Sequence, residues 1–116
     1  LASMALMESL AGGATARISK HGSVIYTLPG GGKICDTGRS ISFSDEARET
    51  ALDYMTAKWG IKRKRVSLDR DTGDLVYTLA NGQKVYDRKG RNVFEMPAAV
   101  HRQRQQERTR SQGMER

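Results

Sequence analysis

Val24-Ile25-Tyr26-Thr27-Leu28-Pro29-Gly30-Gly31-Gly32-Lys33-Ile34-Cys35-Asp36 is a stretch that the chain uses twice, returning at 75–87 as Leu-Val-Tyr-Thr-Leu-Ala-Asn-Gly-Gln-Lys-Val-Tyr-Asp. Tyr26, Thr27, Leu28, Gly31, Lys33 and Asp36 recur as Tyr77, Thr78, Leu79, Gly82, Lys84 and Asp87. After a slip of one residue, Gly38, Arg39 and Ile41 answer Gly90, Arg91 and Val93. Self-similarity at a fixed offset marks a repeated structural unit, and two copies are too few for a solenoid. The reading is a duplicated β-meander inside one small domain.

Each copy has a physical reason to be a hairpin. β-Branched and aromatic residues suit a pleated, half-buried surface, and both runs alternate accordingly. Asn81-Gly82 between two such runs is a strong hairpin signal, because both positions tolerate positive φ. Pro29–Gly32 predicts a looser turn at the matching site. A phosphate-cradling loop requires a helix directly after it, and a strand follows here.

Working outward, Ala16–Ser19, Ser23–Leu28, Lys33–Asp36 and Ser40–Phe43 form the first meander. Val66–Leu68, Leu75–Leu79, Gln83–Asp87 and Arg91–Glu95 form the second. Between them, Ser44 is placed to cap a helix over Asp45–Trp59, with Asp45 and Glu46 at its positive end. Ala47, Ala51, Leu52, Met55 and Trp59 make one apolar stripe, and Gly60 stops the helix. If Leu52 is buried in the core, its truncation to Ala costs about 2–5 kcal/mol. Residues 1–15 read as a disordered linker or vector-derived residues, because Gly12-Gly13 ends a helix too short to stand alone. Pro97 opens a second, weaker helix over 98 to about 108, within a basic tail at 98–116. The expected architecture is α+β: a domain at 16–97 with antiparallel meanders from a duplicated hairpin unit and one main helix packed on the sheet.

The 116 residues carry 20 Lys and Arg against 13 Asp and Glu, a net charge of +7. A positive field of this kind attracts nucleic acid, acidic protein surfaces or anionic membrane. No apolar run approaches membrane-spanning length, which argues against insertion. The single cysteine, Cys35, excludes an internal disulfide framework and fits a reducing, cytoplasmic setting. Its place in a strand pattern predicts a small buried hydrophobe.

The catalytic inventory is sparse. His21 and His101 lie far apart and lack metal-ligand spacing around them. Asp69, Asp71 and Asp74 are ordinary turn formers, without the spaced glutamate that closes a calcium loop. Asp36 and Asp87 recur in both copies and suit a role in the following turn, accepting backbone hydrogens. No cofactor, metal, small-molecule substrate or enzymatic activity is expected of this chain. The basic residues offer more. Lys33, Arg39, Lys62, Arg63, Lys64, Arg65, Lys84, Arg88, Lys89 and Arg91 would neutralise phosphates if they converged on one face, each contact adding about 0.9 to the salt slope on duplex DNA. Tyr26, Tyr77 and Tyr86 could stack on bases, but their strand pattern favours core or sheet-face positions.

The Tyr26-x-Leu28 strand, the glycine turn, Asp36-Thr37-Gly38 and the helix closing in Lys58-Trp59-Gly60 resemble a large polyvalent protein-associated domain. That domain lies behind the catalytic domain in conjugative relaxases of the plasmid mobilisation type and occurs in other multi-domain proteins of mobile elements. The resemblance covers about a third of the chain, and the second copy departs from it, since the domain is usually met as a single unit. The tail His101–Arg116 is similar to the Arg- and Gln-rich ends of relaxases, which serve as signals for a type IV secretion coupling protein. The relaxase's nucleophilic tyrosine and histidine cluster have no counterpart here.

The resemblance implies a non-catalytic C-terminal piece of a bacterial relaxase or mobilisation protein, monomeric, cytoplasmic and open to translocation into a recipient cell. It would contact DNA through the cations named above, and a coupling protein through Arg102, Arg104, Arg108 and Arg110. The alternative is an interaction module that docks on an acidic partner without binding nucleic acid, where charge sets on-rate more than affinity. A third reading is a small subunit of an enzyme whose catalytic residues lie elsewhere.

Overall fold

The computed structural model describes residues 2–97. All eight expected strands are present: β1 (Thr15–Ile18), β2 (Val24–Thr27), β3 (Lys33–Asp36), β4 (Ser40–Phe43), β5 (Val66–Leu68), β6 (Leu75–Thr78), β7 (Lys84–Asp87) and β8 (Val93–Glu95). They form a single antiparallel sheet in the order β1-β2-β3-β4-β8-β7-β6-β5. The two meanders therefore meet through their last strands, and among the described residues the edges at β1 and β5 have no neighbouring strand.

The seam relates the copies by an approximate two-fold axis. Asp36 lies opposite Ile41, and its counterpart Asp87 lies opposite Phe94. Ile41 and Phe94 in turn face each other across the seam. The equivalent of Ile41 is thus Phe94 rather than Val93. The second copy's last turn carries a further residue, Asn92, whose φ of 50° makes it the one non-glycine residue with positive φ among those described.

Both copies build their central turn the same way. Leu28 N–H donates to Gly32 O at 2.7 Å and Gly31 N–H to Leu28 O at 2.9 Å; Leu79 and Gly82 repeat this at 2.8 and 3.0 Å. Gly31 and Gly82 both have positive φ, whereas Asn81 does not. The Asn-Gly pair is therefore part of a longer loop ending in a left-handed glycine, and the expected difference in looseness between the copies is absent. Gly32 has a separate role. A Cβ there would lie 3.1 Å from Ala47 Cβ, so the turn can pass close beneath the start of the main helix.

The main helix occupies the expected span as a 3-10 turn (Asp45–Ala47) followed by an α-helix, Arg48–Trp59. Its start differs from the expected cap. Ser44 makes no side-chain cap bond, and its Oγ instead accepts the Lys33 amide at 2.9 Å. Gly60, at φ 68°, closes the helix as expected, its N–H donating to Thr56 O. The apolar stripe is also shifted. Ala47, Ala51, Tyr54 and Met55 are buried, while Leu52 and Trp59 are only half-buried. Tyr54, absent from the expected stripe, is fully enclosed.

The expectation of disorder at 1–15 is corrected over Ala2–Leu10, which is a helix. A helix this short is marginal in water, but tertiary contact supplies what its length does not. Met7 is buried among the core side chains, and Ala11 N–H bonds Met7 O at 2.8 Å to close the helix. We label Ala2–Leu10 α1 and Arg48–Trp59 α2. Each half of the chain is then a helix followed by four strands, so the repeat includes a preceding helix and not the meander alone. The weaker helix expected at 98–108 lies outside the described residues.

Strand alternation puts Tyr26, Ile34, Ile41, Phe43, Tyr77, Val85 and Phe94 on the sheet face beneath the helices, where all are buried. Phe94 is central, with ring centroids 4.8 Å from Phe43 and 6.3 Å from Tyr77. Met55→Ala is expected to lower unfolding free energy by about 2–5 kcal/mol. Leu52→Ala, at a half-buried site, should cost clearly less. Urea titration of both variants checks the order; an equal or larger loss at Leu52 would contradict this packing.

Candidate nucleic-acid interface

The repeated aspartates set the helix in place. Asp36 is buried beneath the C-terminal half of α2, where Tyr54 Oη donates to its Oδ2 at 2.6 Å and Lys58 Nζ forms an ion pair with the same oxygen. Asp36 Oδ1 accepts Gly38 N–H at 2.8 Å, as expected for a carboxylate ordering its own turn. Tyr54 also meets Tyr26, their hydroxyls 3.1 Å apart and their rings edge-on at 5.5 Å. Burial, reinforced by hydrogen bonding to Asp36, raises the Tyr54 phenol far above its ordinary range.

Asp87 plays the matching part at the other end of α2. Arg48 Nη1 lies 3.7 Å from its Oδ2, while Arg48 Nη2 donates to Asn92 Oδ1 at 2.8 Å and the guanidinium stacks 5.0 Å from the Phe43 ring centre. Asn92 Nδ2 donates to Asp45 Oδ1 at 2.6 Å, tying the last turn of the sheet to the helix start. Burial raises the Asp87 carboxyl above its ordinary value, against the pull of Arg48. Asn92 and Tyr54 were not singled out by sequence. The only signal for Asn92 was a slip in the repeat, counted there as one residue too few.

The ten candidate phosphate contacts do not form one stripe. Strand directions place Lys33, Arg88, Lys89 and Arg91 at one rim of the sheet. Arg39, Lys84 and Lys62–Arg65 lie at the opposite rim. The approximate two-fold is the reason, since it sends each copied cation to the other end of the strands. Arg88 is occupied: Nη1 bonds Asp74 at 3.1 Å, Nη2 bonds Glu95 at 2.9 Å, and the guanidinium stacks 4.6 Å from the Tyr86 ring centre. Hydrogen bonding to Glu95, then Asp74, holds it still more firmly protonated. Arg63 pairs with Asp53 in an exposed ion pair. Among the described residues Lys33, Arg39, Lys62, Lys64, Arg65, Lys84, Lys89 and Arg91 form no ion pair. Arg102, Arg104, Arg108 and Arg110 lie outside the described residues.

Among the described residues, no element covers the sheet face away from the helices. Arg17, Ile25, Lys33, Cys35, Ser42, Val76, Lys84, Tyr86, Val93 and Glu95 belong to it by alternation. Tyr26 and Tyr77 are on the helix side and buried, as their strand pattern predicts; Tyr86 alone of the three strand tyrosines faces outward. Cys35 is half-buried on the open face, less enclosed than expected. Among the described residues no three His, Cys, Asp or Glu side chains are grouped to hold a metal ion, and no helix is long and apolar enough to cross a membrane.

Comparison of the chain with protein-family models, with curated proteins and with solved structures finds no match in any of the three.

Two carboxylates give opposite pH dependences. The Lys89 backbone N–H, with Arg88 and Thr72, holds Asp74 below its ordinary value. The folded state therefore binds fewer protons there than the unfolded one, so stability from Asp74 is complete above about pH 4 and is lost as pH falls through the depressed value. Asp87 is raised, so its ionised form costs stability at neutral pH and that cost disappears on acidification. Asp74→Asn should destabilise at pH 7, with the gap to the parent narrowing below about pH 4. Asp87→Asn should stabilise at pH 7, the gain fading as pH falls through the raised value and gone below about pH 4. Urea midpoints measured from acid to neutral pH check both signs.

Proposed function

We propose that the chain is a non-catalytic accessory module of a plasmid relaxase or mobilisation protein, binding DNA on its open sheet face. The observation that carries this reading is the uncovered face itself. It bears Arg17, Lys33 and Lys84, with Arg91 at its rim, none of them in an ion pair among the described residues. Its carboxylates Glu95 and, at the start of β6, Asp74 are already engaged by Arg88. Cations free of ion pairs on an open sheet face suit phosphates, whose contacts dominate affinity and bring salt dependence. The resemblance over 21–60 to a domain of conjugative relaxases supplies the setting. In that setting the chemistry on DNA belongs to another domain.

The tail favours a second contact. Residues 98–116 carry five Arg and two Glu, a net of +3. In this reading Arg102, Arg104, Arg108 and Arg110 are offered to an acidic surface of the type IV secretion coupling protein, separately from the sheet. That separation also defines the rival, an interaction module with no nucleic-acid role.

Titrating the chain with single- and double-stranded DNA at low and moderate salt, while following backbone amides, tests the reading. Shifts should cluster at Lys33 and Arg91 and weaken as salt rises, with Arg88 little changed because its donors are taken. Absence of any shift at low salt would overturn the DNA contact. Deleting 101–116 should abolish recruitment of the coupling protein while retaining the sheet-face shifts; recruitment that survives the deletion would overturn the tail's role.

A further inference from the structure

The two halves differ on the open face at the positions of Cys35 and Tyr86. In the second half, Tyr86 lies opposite Val76, and Arg88 covers its ring while bonding Asp74 and Glu95. Val76 beneath this cover is buried. In the first half the corresponding residues are all smaller or uncharged: Cys35 for Tyr86, Thr37 for Arg88, Ser23 for Asp74 and Ser42 for Glu95. Ile25, the counterpart of Val76, lies opposite Cys35 and is half-buried. On the Lys33 side of Cys35, the residue that stands where the second half carries Tyr86, the first half has a depression of about 320 Å³; Thr37 and Ser23 lie toward the other end of the strands and do not line it. Its walls include Ile25, Cys35 and Ser42 on the sheet, with Lys33, Arg91 and Asn92 at the rim.

The rim is set in place by bonds already described. Lys33 N–H donates to Ser44 Oγ and Ser44 N–H donates to Lys33 O, which fixes the start of β3 against the end of β4. Asn92 is held by Arg48 and Asp45, which fixes the backbone next to Arg91. Two cations without ion pairs among the described residues thus flank a floor that includes Ile25 and Cys35, the latter standing where the other half carries the Tyr86 ring.

We propose that this depression takes one unpaired nucleotide of a single-stranded nucleic acid, its base against Ile25 and Cys35 and its phosphate between Lys33 and Arg91. The inference rests on the DNA-contact reading above and narrows it from the whole face to one subsite. Both components of the ligand are needed to explain the site: a flat apolar group meets the floor, and an anion answers the two cations. A duplex presents its bases stacked and paired, so it offers phosphates to the rim but no base to the floor. Single strands are therefore preferred.

The second half supplies an internal control, because Lys84 is the copy of Lys33 and does not line the depression. Binding of fluorescently labelled oligothymidylate to the full chain is measured at low salt and as salt is raised, for the parent, Lys33→Ser, Lys84→Ser and Cys35→Tyr. The proposal expects Lys33→Ser to weaken binding about tenfold and lower the salt slope by about 0.7, the value of one single-strand phosphate contact. Lys84→Ser, which removes a cation of the wider face but none at the depression, should weaken binding clearly less than Lys33→Ser. Cys35→Tyr, which crowds the depression with a residue favoured in strands, should weaken binding while leaving the urea midpoint unchanged. As a readout needing no variant, saturating oligothymidylate should slow alkylation of Cys35, the chain's only thiol. Binding with equal losses at Lys33 and Lys84 and an unprotected Cys35 would overturn the subsite while leaving general DNA contact standing. No binding at low salt would overturn both.

Discussion

The structure depends on one antiparallel strand pair. Neither meander buries its apolar face alone, and the β4–β8 seam joins them into a sheet broad enough to support α2. Phe43 N–H donates to Asn92 O at 3.0 Å and Met96 N–H to Arg39 O at 2.8 Å, bracketing Ile41 and Phe94 at the centre. An interface between two like surfaces about a two-fold is self-complementary, which explains why residues copied in sequence come to face each other. The seam also fixes where α2 can lie. The helix crosses it, pairing Lys58 with Asp36 on one side and Arg48 with Asp87 on the other.

These two ion pairs are not equivalent in energy. Asp36 receives Tyr54, Lys58 and the Gly38 amide, so its buried oxygens are satisfied on each side. Among the described residues Asp87 has only a long contact to Arg48, whose better hydrogen bond goes to Asn92. Burial of a carboxylate is tolerated when it is paired and hydrogen-bonded, and becomes a net cost when pairing is weak. The raised Asp87 carboxyl is the consequence. The chain thus uses one copy of the aspartate to anchor the helix tightly and the other to orient its first turn.

Much of the fold was legible in the sequence because its signals are local. Tyr26-Thr27-Leu28 and Tyr77-Thr78-Leu79 announce strands by alternation, Gly31 and Gly82 announce turns by their backbone freedom, and Gly60 announces a helix end. What stayed hidden depends on contacts distant in sequence. The stability of α1 comes from Met7 reaching the core, and no propensity over nine residues reveals that. Tyr54 has a polar end, so it falls outside an apolar stripe until Asp36 and Tyr26 are known to lie below it. The candidate site was half legible: the basic residues stand out in the sequence, but strand order decides which rim each one occupies. Likewise, Cys35 and Tyr86 could be aligned by sequence, yet only the structure shows the depression beside Cys35.

Native-state hydrogen exchange across the seam tests the account most directly. If the β4–β8 pair holds the halves together, the amides of Ile41, Phe43, Phe94 and Met96 should be among the slowest to exchange. They should open only with global unfolding, at a free energy matching that from urea titration followed by Trp59 fluorescence. Fast exchange at those amides while β2–β3 and β6–β7 stay protected would contradict it, showing two meanders that fold separately and merely touch.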